Sequence, residues 1–266
     1  MRVYNPEGSA LRRDQLEMLK VLERFAQICK ENNIQWWLCG GTLLGAARHG
    51  GFIPWDDDVD ITMMKKDYKK LRKILKKYED EDYFYQCIES DFNHVNLFGK
   101  FRKKKDPVFS SDRRSSYFKY QGLGIDVFSI ERSTRFAAHR SRYIYKKMIG
   151  PTQYIGNSFL RHVTTRTIQA LNFGLFIPIC RMIGWFGREK RYYYELGSGF
   201  YGVYFKLEDI FPLTTMKFEG VEFPVPGNTD AYLQSIYGDW RKLPSEEQIK
   251  YSLHYPIYRK EIFGEE

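Results

Sequence analysis

Glycines and carboxylates with the spacing of a phosphate-handling site occur together between Gly40 and Asp60, in GGTLLGAARHGGFIPWDDDVD. Asp58 and Asp60 alternate with aliphatic residues, and in a β-strand residues two apart project from the same face. Two like charges side by side destabilise a strand unless something neutralises them. Hard oxygen ligands suit Mg²⁺ or Mn²⁺, so the pattern predicts a divalent-cation site. The alternative is a solvated acidic strand end.

A third carboxylate, Asp126, stands between aliphatic residues in GIDVF. A lone aspartate in an apolar strand is costly unless it is paired or metal-bound, although it can also cap a turn. Together with Asp58 and Asp60 it supplies the third acid that a two-metal phosphoryl-transfer site requires. We therefore predict that these three aspartates are catalytic and hold two Mg²⁺ or Mn²⁺ ions.

The Gly40-Gly41-Thr42 turn is the predicted phosphate contact. It follows the apolar run Ile34–Cys39, which reads as a buried strand, and Thr42 is predicted to be the N-cap of a helix that Gly50-Gly51 ends. Glycine lets the backbone approach a ligand closely, and a helix N-terminus offers free N–H groups to phosphate. A Gly-Gly pair alone is more often only a turn.

Four side chains are further candidates for nucleotide or phosphate binding: Arg48, Trp55, Lys100 and Arg102. Arg48 can bind a diphosphate through two N–H groups or simply end its helix. Trp55 can stack on a base or a quaternary ammonium group, or fill the core. Lys100 and Arg102 alternate on a predicted strand, so both point either into the cleft or to the surface.

Four polar side chains near these candidates remain without a predicted catalytic role. Asp56 and Asp57 are predicted to accept hydrogen bonds from N–H groups of their own loop. His49 lies in the glycine-rich segment and His254 near the C-terminus, and neither is favoured as a phosphate contact.

Alternating strands and helices in the first half predict an α/β (α+β) fold, with a mixed sheet flanked by helices. The strands are predicted at Asp58–Met63, Tyr83–Glu89, Val95–Phe101 and Gly124–Ile130, after an amphipathic helix that ends near Asn32. Beyond residue 131 the chain is more helical and rich in aromatic residues. We therefore predict a catalytic core over residues 1–131 and a C-terminal region over residues 132–266 that completes the fold and the acceptor site.

The composition of the 266 residues excludes several classes of protein. The four cysteines lack metal-site spacing, and the first residues lack an apolar leader, so we expect a cytoplasmic protein. The net charge of +9 favours an anionic partner, but the basic residues are too scattered for a nucleic-acid module, which ranks last. The apolar stretch Leu171–Gly187 is too short to span a membrane. We expect a buried helix pair there, with an interfacial one at the membrane as the alternative.

The Gly40–Asp60 segment resembles the signature of the LicD/fukutin family, a branch of the nucleotidyltransferase-fold superfamily. The resemblance continues through Lys100-Phe101-Arg102, GLGIDVF, FEGVEFPVP and YGDW–KLP, so it covers nearly the whole chain. It implies a nucleotidyltransferase-like core in which Asp58 and Asp60 hold the metals. Asp126 would complete the site and take the acceptor proton, and Gly41 and Thr42 would meet the nucleotide phosphates.

The activity that this resemblance implies is transfer of a phospho-alcohol group, foremost phosphocholine, from a CDP-activated donor such as CDP-choline. A hydroxyl of a cell-surface glycan (lipopolysaccharide, teichoic acid or capsule, lipid-linked or free) attacks the β-phosphorus and CMP is released. Such an enzyme would work in the cytoplasm, either free or in peripheral contact with the inner face of the cell membrane. It would need no nucleic acid. The alternative on the same fold is transfer of a nucleotide from a nucleoside triphosphate with release of pyrophosphate.

Overall fold

Seven strands form one mixed sheet within the described part of the chain. A computed structural model describes residues 3–78, 80–108, 115–186, 191–196 and 202–264. The strands are β1 (Trp37–Leu38), β2 (Asp60–Met64), β3 (Tyr83–Gln86), β4 (Gly99–Pro107), β5 (Gly122–Arg132), β6 (Tyr192–Tyr194) and β7 (Tyr204–Phe205). Their order is β1-β2-β5-β4-β3, and β6 pairs with both β5 and β7. Only the β2–β5 pairing is parallel among them. The predicted α/β class with a mixed sheet is confirmed.

Helices flank this sheet, and a separate hairpin follows it. The helices of the described residues are α1 (Ala10–Glu31), α2 (Gly40–His49), α3 (Lys65–Leu75), α4 (Arg135–Ile144), α5 (Ser158–Leu171), α6 (Ile177–Phe186), α7 (Leu207–Ile210), α8 (Thr229–Tyr237), α9 (Glu246–Ser252) and α10 (Pro256–Phe263). The hairpin consists of β8 (Thr214–Phe218) and β9 (Val221–Val225). It begins four residues before the hairpin predicted from FEGVEFPVP.

Helix α1 shows why these elements form where they do. Its apolar residues recur at helical spacing and are buried, from Leu11 to Cys29. The Ser9 hydroxyl caps the first turn by accepting from the Arg12 N–H, and the helix ends at Asn32, as predicted. An aromatic cluster joins α1 to the sheet and the hairpin, since Phe25 contacts both Trp36 and Phe101.

The C-terminal tail returns to the start of α1. The Glu261 carboxylate of α10 accepts hydrogen bonds from the N–H groups of Ala10 and Leu11, two of the donors that a helix N-terminus leaves unpaired. The Tyr258 hydroxyl donates to Asp14 at 2.5 Å. These contacts bring the segment before α10 over the end of the loop that leads into β2.

The apolar stretch that follows α5 is largely exposed, although Ile177 and Cys180 within it are buried, so the prediction of a buried helix pair is wrong. Helix α5, a π-helical segment (Asn172–Phe176) and α6 follow one another without a break, and Leu171, Leu175 and Trp185 are 64%, 65% and 76% exposed. The predicted end of the stretch, Gly187, lies outside the described residues. No helix among those residues is long and apolar enough to cross a membrane.

Candidate active site

Asp60 and Asp126 lie side by side on neighbouring parallel strands. Their Cα atoms are partners in the register of β2 and β5, and the Asp126 N–H donates to the Val59 carbonyl at 2.8 Å. Paired positions on adjacent strands project from the same face of the sheet. The alternating pattern that predicted inward aliphatic neighbours is confirmed, because Val59, Ile61, Ile125 and Val127 are fully buried.

The N-terminus of α2 lies directly against these carboxylates. Gly40 has a φ of +55°, and a Cβ there would stand 2.5 Å from the Asp60 Oδ2 atom. A Cβ on Gly41 would stand 2.7 Å from the Asp56 Oδ2 atom. Both positions therefore require glycine, Gly40 for its left-handed backbone as well as its close neighbour.

Thr42 fixes β2 to α2 from inside the protein. The helix begins three residues earlier than predicted, with Cys39 rather than Thr42 as its N-cap, so the prediction of Thr42 as N-cap is wrong. The Thr42 side chain is 1% exposed, and its hydroxyl accepts a hydrogen bond of 2.8 Å from the Asp60 N–H. Its contact with a nucleotide phosphate stays a prediction. Gly50 ends α2 in the left-handed conformation, as predicted.

A salt bridge joins Asp57 to His254 across 197 residues of chain. Asp57, 1% exposed, accepts from the His254 N–H at 2.6 Å, from the Tyr255 N–H at 3.0 Å and pairs with His254 Nδ1 at 2.9 Å. The same Nδ1 lies 3.5 Å from the Asp58 Oδ2 atom. The expectation that Asp57 binds N–H groups of its own loop is wrong, because the tail supplies its donors.

The concentration of negative charge perturbs the acids of the site. Burial and the neighbouring carboxylates raise the pKa of Asp56 and of Asp60 well above the usual range of an aspartate. Burial also raises the pKa of Asp58, while the charge of His254 lowers it. The hydrogen bond that His254 donates to the Asp57 carboxylate raises the pKa of His254 to about 10, so this imidazole is a cation at neutral pH.

Lys100 and Arg102 have different surroundings, although they alternate on β4. The Lys100 ammonium forms an ion pair with the Asp126 carboxylate, and the two residues are register partners on β4 and β5. Arg102 is 7% exposed and donates to the Tyr120 carbonyl at 2.8 Å. Its guanidinium lies 5.7 Å from the centroid of the Phe118 ring. Lys100 therefore reaches the acidic group directly, and Arg102 is engaged with the segment before β5.

Arg48 and Trp55 lie together beside the turn that follows α2. The Arg48 guanidinium is 6.0 Å from the centroid of the Trp55 ring and donates to the Trp240 carbonyl at 3.3 Å. The edge of the half-buried Trp55 ring meets Tyr4, with 5.2 Å between centroids. Binding of a nucleotide by this pair stays a prediction. His49 is exposed, and its Nε2 atom accepts a hydrogen bond of 3.1 Å from the Arg48 Nε–H group.

The donor set fits a hard divalent cation. The Asp56 Oδ2 atom is buried and makes no hydrogen bond with the described residues. Such an atom, beside carboxylates with raised pKa values, fits a site that a cation completes. Among the described residues, the group whose ligand atoms lie within 4.8 Å of one another is Asp57, Asp58 and His254, rather than the predicted three aspartates. Because Asp57 already accepts three hydrogen bonds, Asp58 offers the more accessible ligand atoms of this group.

Sequence reasoning missed the pairing of Asp57 with His254. No local pattern could indicate it, since SLHYP at the C-terminus matches no catalytic spacing and the contact depends on the return of the tail to α1. The unusual density of acids in Asp56–Asp58 was the one available signal. The buried Asp57 carboxylate needs a cation beside it, and His254 supplies it.

Comparisons with known proteins identify relatives of this chain. Residues 33–160 match the family model described as LicD/FKTN/FKRP, nucleotidyltransferase domain. The chain is 27% identical to the lipopolysaccharide cholinephosphotransferase LicD of Haemophilus influenzae over 257 aligned positions, covering 90% of this chain and 94% of that protein. It is 39% identical to the human ribitol 5-phosphate transferase FKRP over 80 positions, which are 24% of this chain and 16% of that protein. An uncharacterised Rickettsia prowazekii protein, RP689, is 41% identical over 68 positions, 26% of either chain.

Proposed function

Residues 33–160 belong to the LicD/FKTN/FKRP nucleotidyltransferase domain family, which makes the chain a transferase of substituted phosphate groups, and from this premise we propose its reaction. The chain transfers a phospho-alcohol group from a CDP-activated donor to a hydroxyl of a cell-surface glycan. The group is phosphocholine, the donor is CDP-choline and the product of cleavage is CMP. The observation that carries the proposal is the meeting of Asp60 and Asp126, in register, with the glycine turn at the start of α2.

The site supports this chemistry because it combines negative ligands with donors for phosphate. Asp58, Asp60 and Asp126 would hold two Mg²⁺ or Mn²⁺ ions, which when bound neutralise the charge of the donor's diphosphate. The free N–H groups at Gly41 and Thr42 point out of the first turn of α2 and can bind phosphate oxygens. Arg48 lies in the last turn of that helix and contacts the Trp55 ring, and this pair would bind the nucleoside.

The reaction needs a proton acceptor and a leaving group. The acceptor hydroxyl oxygen forms a bond to the β-phosphorus, while the bond from that phosphorus to the bridging oxygen breaks and CMP departs with the electron pair. The Asp126 carboxylate takes the hydroxyl proton, and its ion pair with Lys100 holds it in position. Asp57 and His254 keep the preceding loop, and with it Asp58, in place.

The choice of phosphocholine rests on the relative that matches most of the chain, which is named a lipopolysaccharide cholinephosphotransferase. FKRP, which matches a shorter region, is named a ribitol 5-phosphate transferase, so an alditol phosphate is the competing group. Both groups leave the metal site unchanged. The donor must therefore be identified by an experiment that compares the different CDP-alcohols under the same conditions.

The test is a thermal-shift panel followed by product analysis. The protein is heated with Mg²⁺ or Mn²⁺ and with CDP-choline, CDP-ethanolamine, CDP-ribitol, CDP-glycerol or CTP, because a ligand that binds the folded state raises the melting temperature. Chromatography then separates CMP from pyrophosphate. We expect a metal-dependent shift with CDP-choline, and CMP release that Asp58→Asn and Asp126→Asn abolish without unfolding the protein.

A matched control and two outcomes decide the proposal. Asp106→Asn changes an exposed aspartate outside the site, at a positive φ that asparagine tolerates, and should leave the shift intact. A shift with CDP-ribitol alone would replace phosphocholine by ribitol phosphate. Shift and pyrophosphate release with CTP alone would replace the whole proposal by nucleotidyl transfer.

A further inference from the structure

Helix α5 turns its polar face to the protein and its apolar face outward, which is the reverse of an ordinary amphipathic helix. Its buried residues are Arg161, Thr165 and Gln169, which follow one another every fourth position along the inner face. Arg161 donates to the Ile155 carbonyl at 3.0 Å, and Gln169 donates to the Val95 carbonyl at 2.8 Å. Arg161 and Gln169 are therefore fixed against the protein by hydrogen bonds, and Thr165 is buried between them. The outer face is left to apolar residues, contrary to the rule for a helix in water.

The outer apolar face continues through α6. Leu160, Leu171, Leu175, Met182, Trp185 and Phe186 are all between 55% and 79% exposed. Their spacings of three, four, seven or eleven positions keep most of them on one side of the continuous helical run 158–186. Scattered exposed hydrophobic residues are ordinary, whereas a contiguous apolar face of this kind marks an interaction surface.

The charge around this face has one sign. Residues 132–188 contain ten Arg and Lys and no Asp or Glu. Arg135, Arg140, Lys146 and Lys147 are exposed on α4 and the segment after it. That element packs on the same helices, because Ala137 clusters with Ile177 and Cys180, and Tyr145 and Ile149 pack against Ile168. Apolar residues flanked by basic ones match an anionic lipid surface.

We propose that the outer face of α5 and α6, with the basic α4 segment beside it, is a docking surface for an anionic phospholipid bilayer. The helices lie in the plane of the interface with Trp185 and Phe186 inserted among the acyl chains, and the chain does not cross the membrane there. A second copy of the chain suits this surface less well, because two such faces would bring like charges together.

The surface is joined rigidly to the sheet that carries Asp126. Arg181 of α6 donates to both carboxylate oxygens of Glu131, at 2.8 and 3.1 Å, and Glu131 lies on β5 five residues after Asp126. A bidentate pair of this kind fixes orientation as well as distance. Docking would therefore set the orientation of the site relative to the membrane, which suits a lipid-linked acceptor.

Vesicle binding by the whole chain tests this surface. Vesicles of phosphatidylglycerol and phosphatidylethanolamine are compared with vesicles of phosphatidylcholine by flotation and by tryptophan fluorescence. Trp185 is 76% exposed whereas Trp36 and Trp37 are buried, so its emission should shift to shorter wavelength on binding. Leu175→Glu/Met182→Glu should abolish flotation and the shift. Each of Lys146→Gln and Lys147→Gln should weaken binding about fivefold.

Matched controls separate this proposal from others. Tyr251→Glu/Ile257→Glu places two charges at exposed apolar positions of α9 and α10 and should float as the unchanged chain does. Asp58→Asn should also float normally, so loss of transfer and loss of docking are distinguishable. Equal binding to both vesicle types would overturn the electrostatic match. Absence of binding, with a dimer in sedimentation velocity that Leu175→Glu/Met182→Glu dissociates, would assign the face to a second copy.

Discussion

Replacing Gly40 by alanine should separate the effect of the site from the effect on the fold. Gly40 and Gly50 stand at the two ends of α2, with φ values of +55° and +68°. A left-handed backbone costs a residue with a Cβ about 1–2 kcal/mol, so Gly40→Ala and Gly50→Ala share that loss. They differ in their neighbours, because nothing lies within 4 Å of a Cβ at Gly50.

The added methyl at Gly40 displaces Asp60. Its carbon would stand 2.5 Å from Asp60 Oδ2, and ordinary contact begins at 3.4 Å, so the two atoms must separate by 3.4 − 2.5 = 0.9 Å. A misplacement of about 1 Å at a reacting centre can cost roughly 100-fold in rate. We expect Gly40→Ala to lose about that factor in kcat/KM, and Gly50→Ala to stay within about twofold.

The assay is metal-dependent CMP release at saturating and limiting donor, with urea unfolding of the same preparations. The two variants should lose similar free energies of unfolding, within about 1 kcal/mol of each other. Equal activity in the two folded variants would refute the reasoning, since it would mean that the position of the Asp60 carboxylate does not limit the reaction. Rescue by Gly40→Ser would refute it as well, because serine carries the same Cβ.

Two further predictions concern the loop that carries the site. Thr42→Val leaves the buried Asp60 N–H without its acceptor and should lower the free energy of unfolding by about 1–3 kcal/mol in urea, while Thr42→Ser, which keeps the hydroxyl, should lose far less. His254→Gln should cost roughly 1–2 kcal/mol at pH 6, a value reduced for the 58% exposure of the side chain. Its folded pKa of about 10 lies above the ordinary 6.5, so this stability is complete below pH 6.5 and is lost as pH rises toward 10. Unfolding in EDTA at several pH values measures it, and a difference that grows with pH would contradict the salt bridge.

The acidic pattern could be predicted because its physics is local. Alternation predicts that Asp58 and Asp60 share one face, although β2 begins only at Asp60, and burial of Ile61 follows from the same period. The pairing of β2 with β5 agrees with the expectation that the three aspartates, each flanked by aliphatic residues, lie close together. The roles of the remaining candidates depend on partners elsewhere in the chain, such as the Asp126 carboxylate that Lys100 finds on β5.

Other errors arose where distant contacts override local signals. Thr42 has the residue type of an N-cap, but β1 ends early enough for α2 to begin at Gly40, and the hydroxyl then faces β2. The apolar composition of 171–186 predicted burial, because hydrophobic residues are most often inside. The inner side of α5 is instead occupied by the polar residues Arg161, Thr165 and Gln169, for which composition gives no warning, while Ile177 and Cys180 are buried farther along the run.

The balance of charge in the site indicates how the donor must enter. In the described part of the chain, two cations, His254 and Lys100, are in direct contact with the five aspartates of the site, and Arg48 lies at longer range. The aspartates are Asp56, Asp57, Asp58, Asp60 and Asp126. His254 is committed to Asp57, so the remaining acids repel an anionic diphosphate and one another. Burial, together with the neighbouring carboxylates, raises the pKa of Asp56, Asp58 and Asp60. A divalent ion removes both repulsions at once. We therefore expect donor and metal to bind with strong mutual cooperativity, each weakly when alone, because either one without the other leaves uncompensated charge in a buried place.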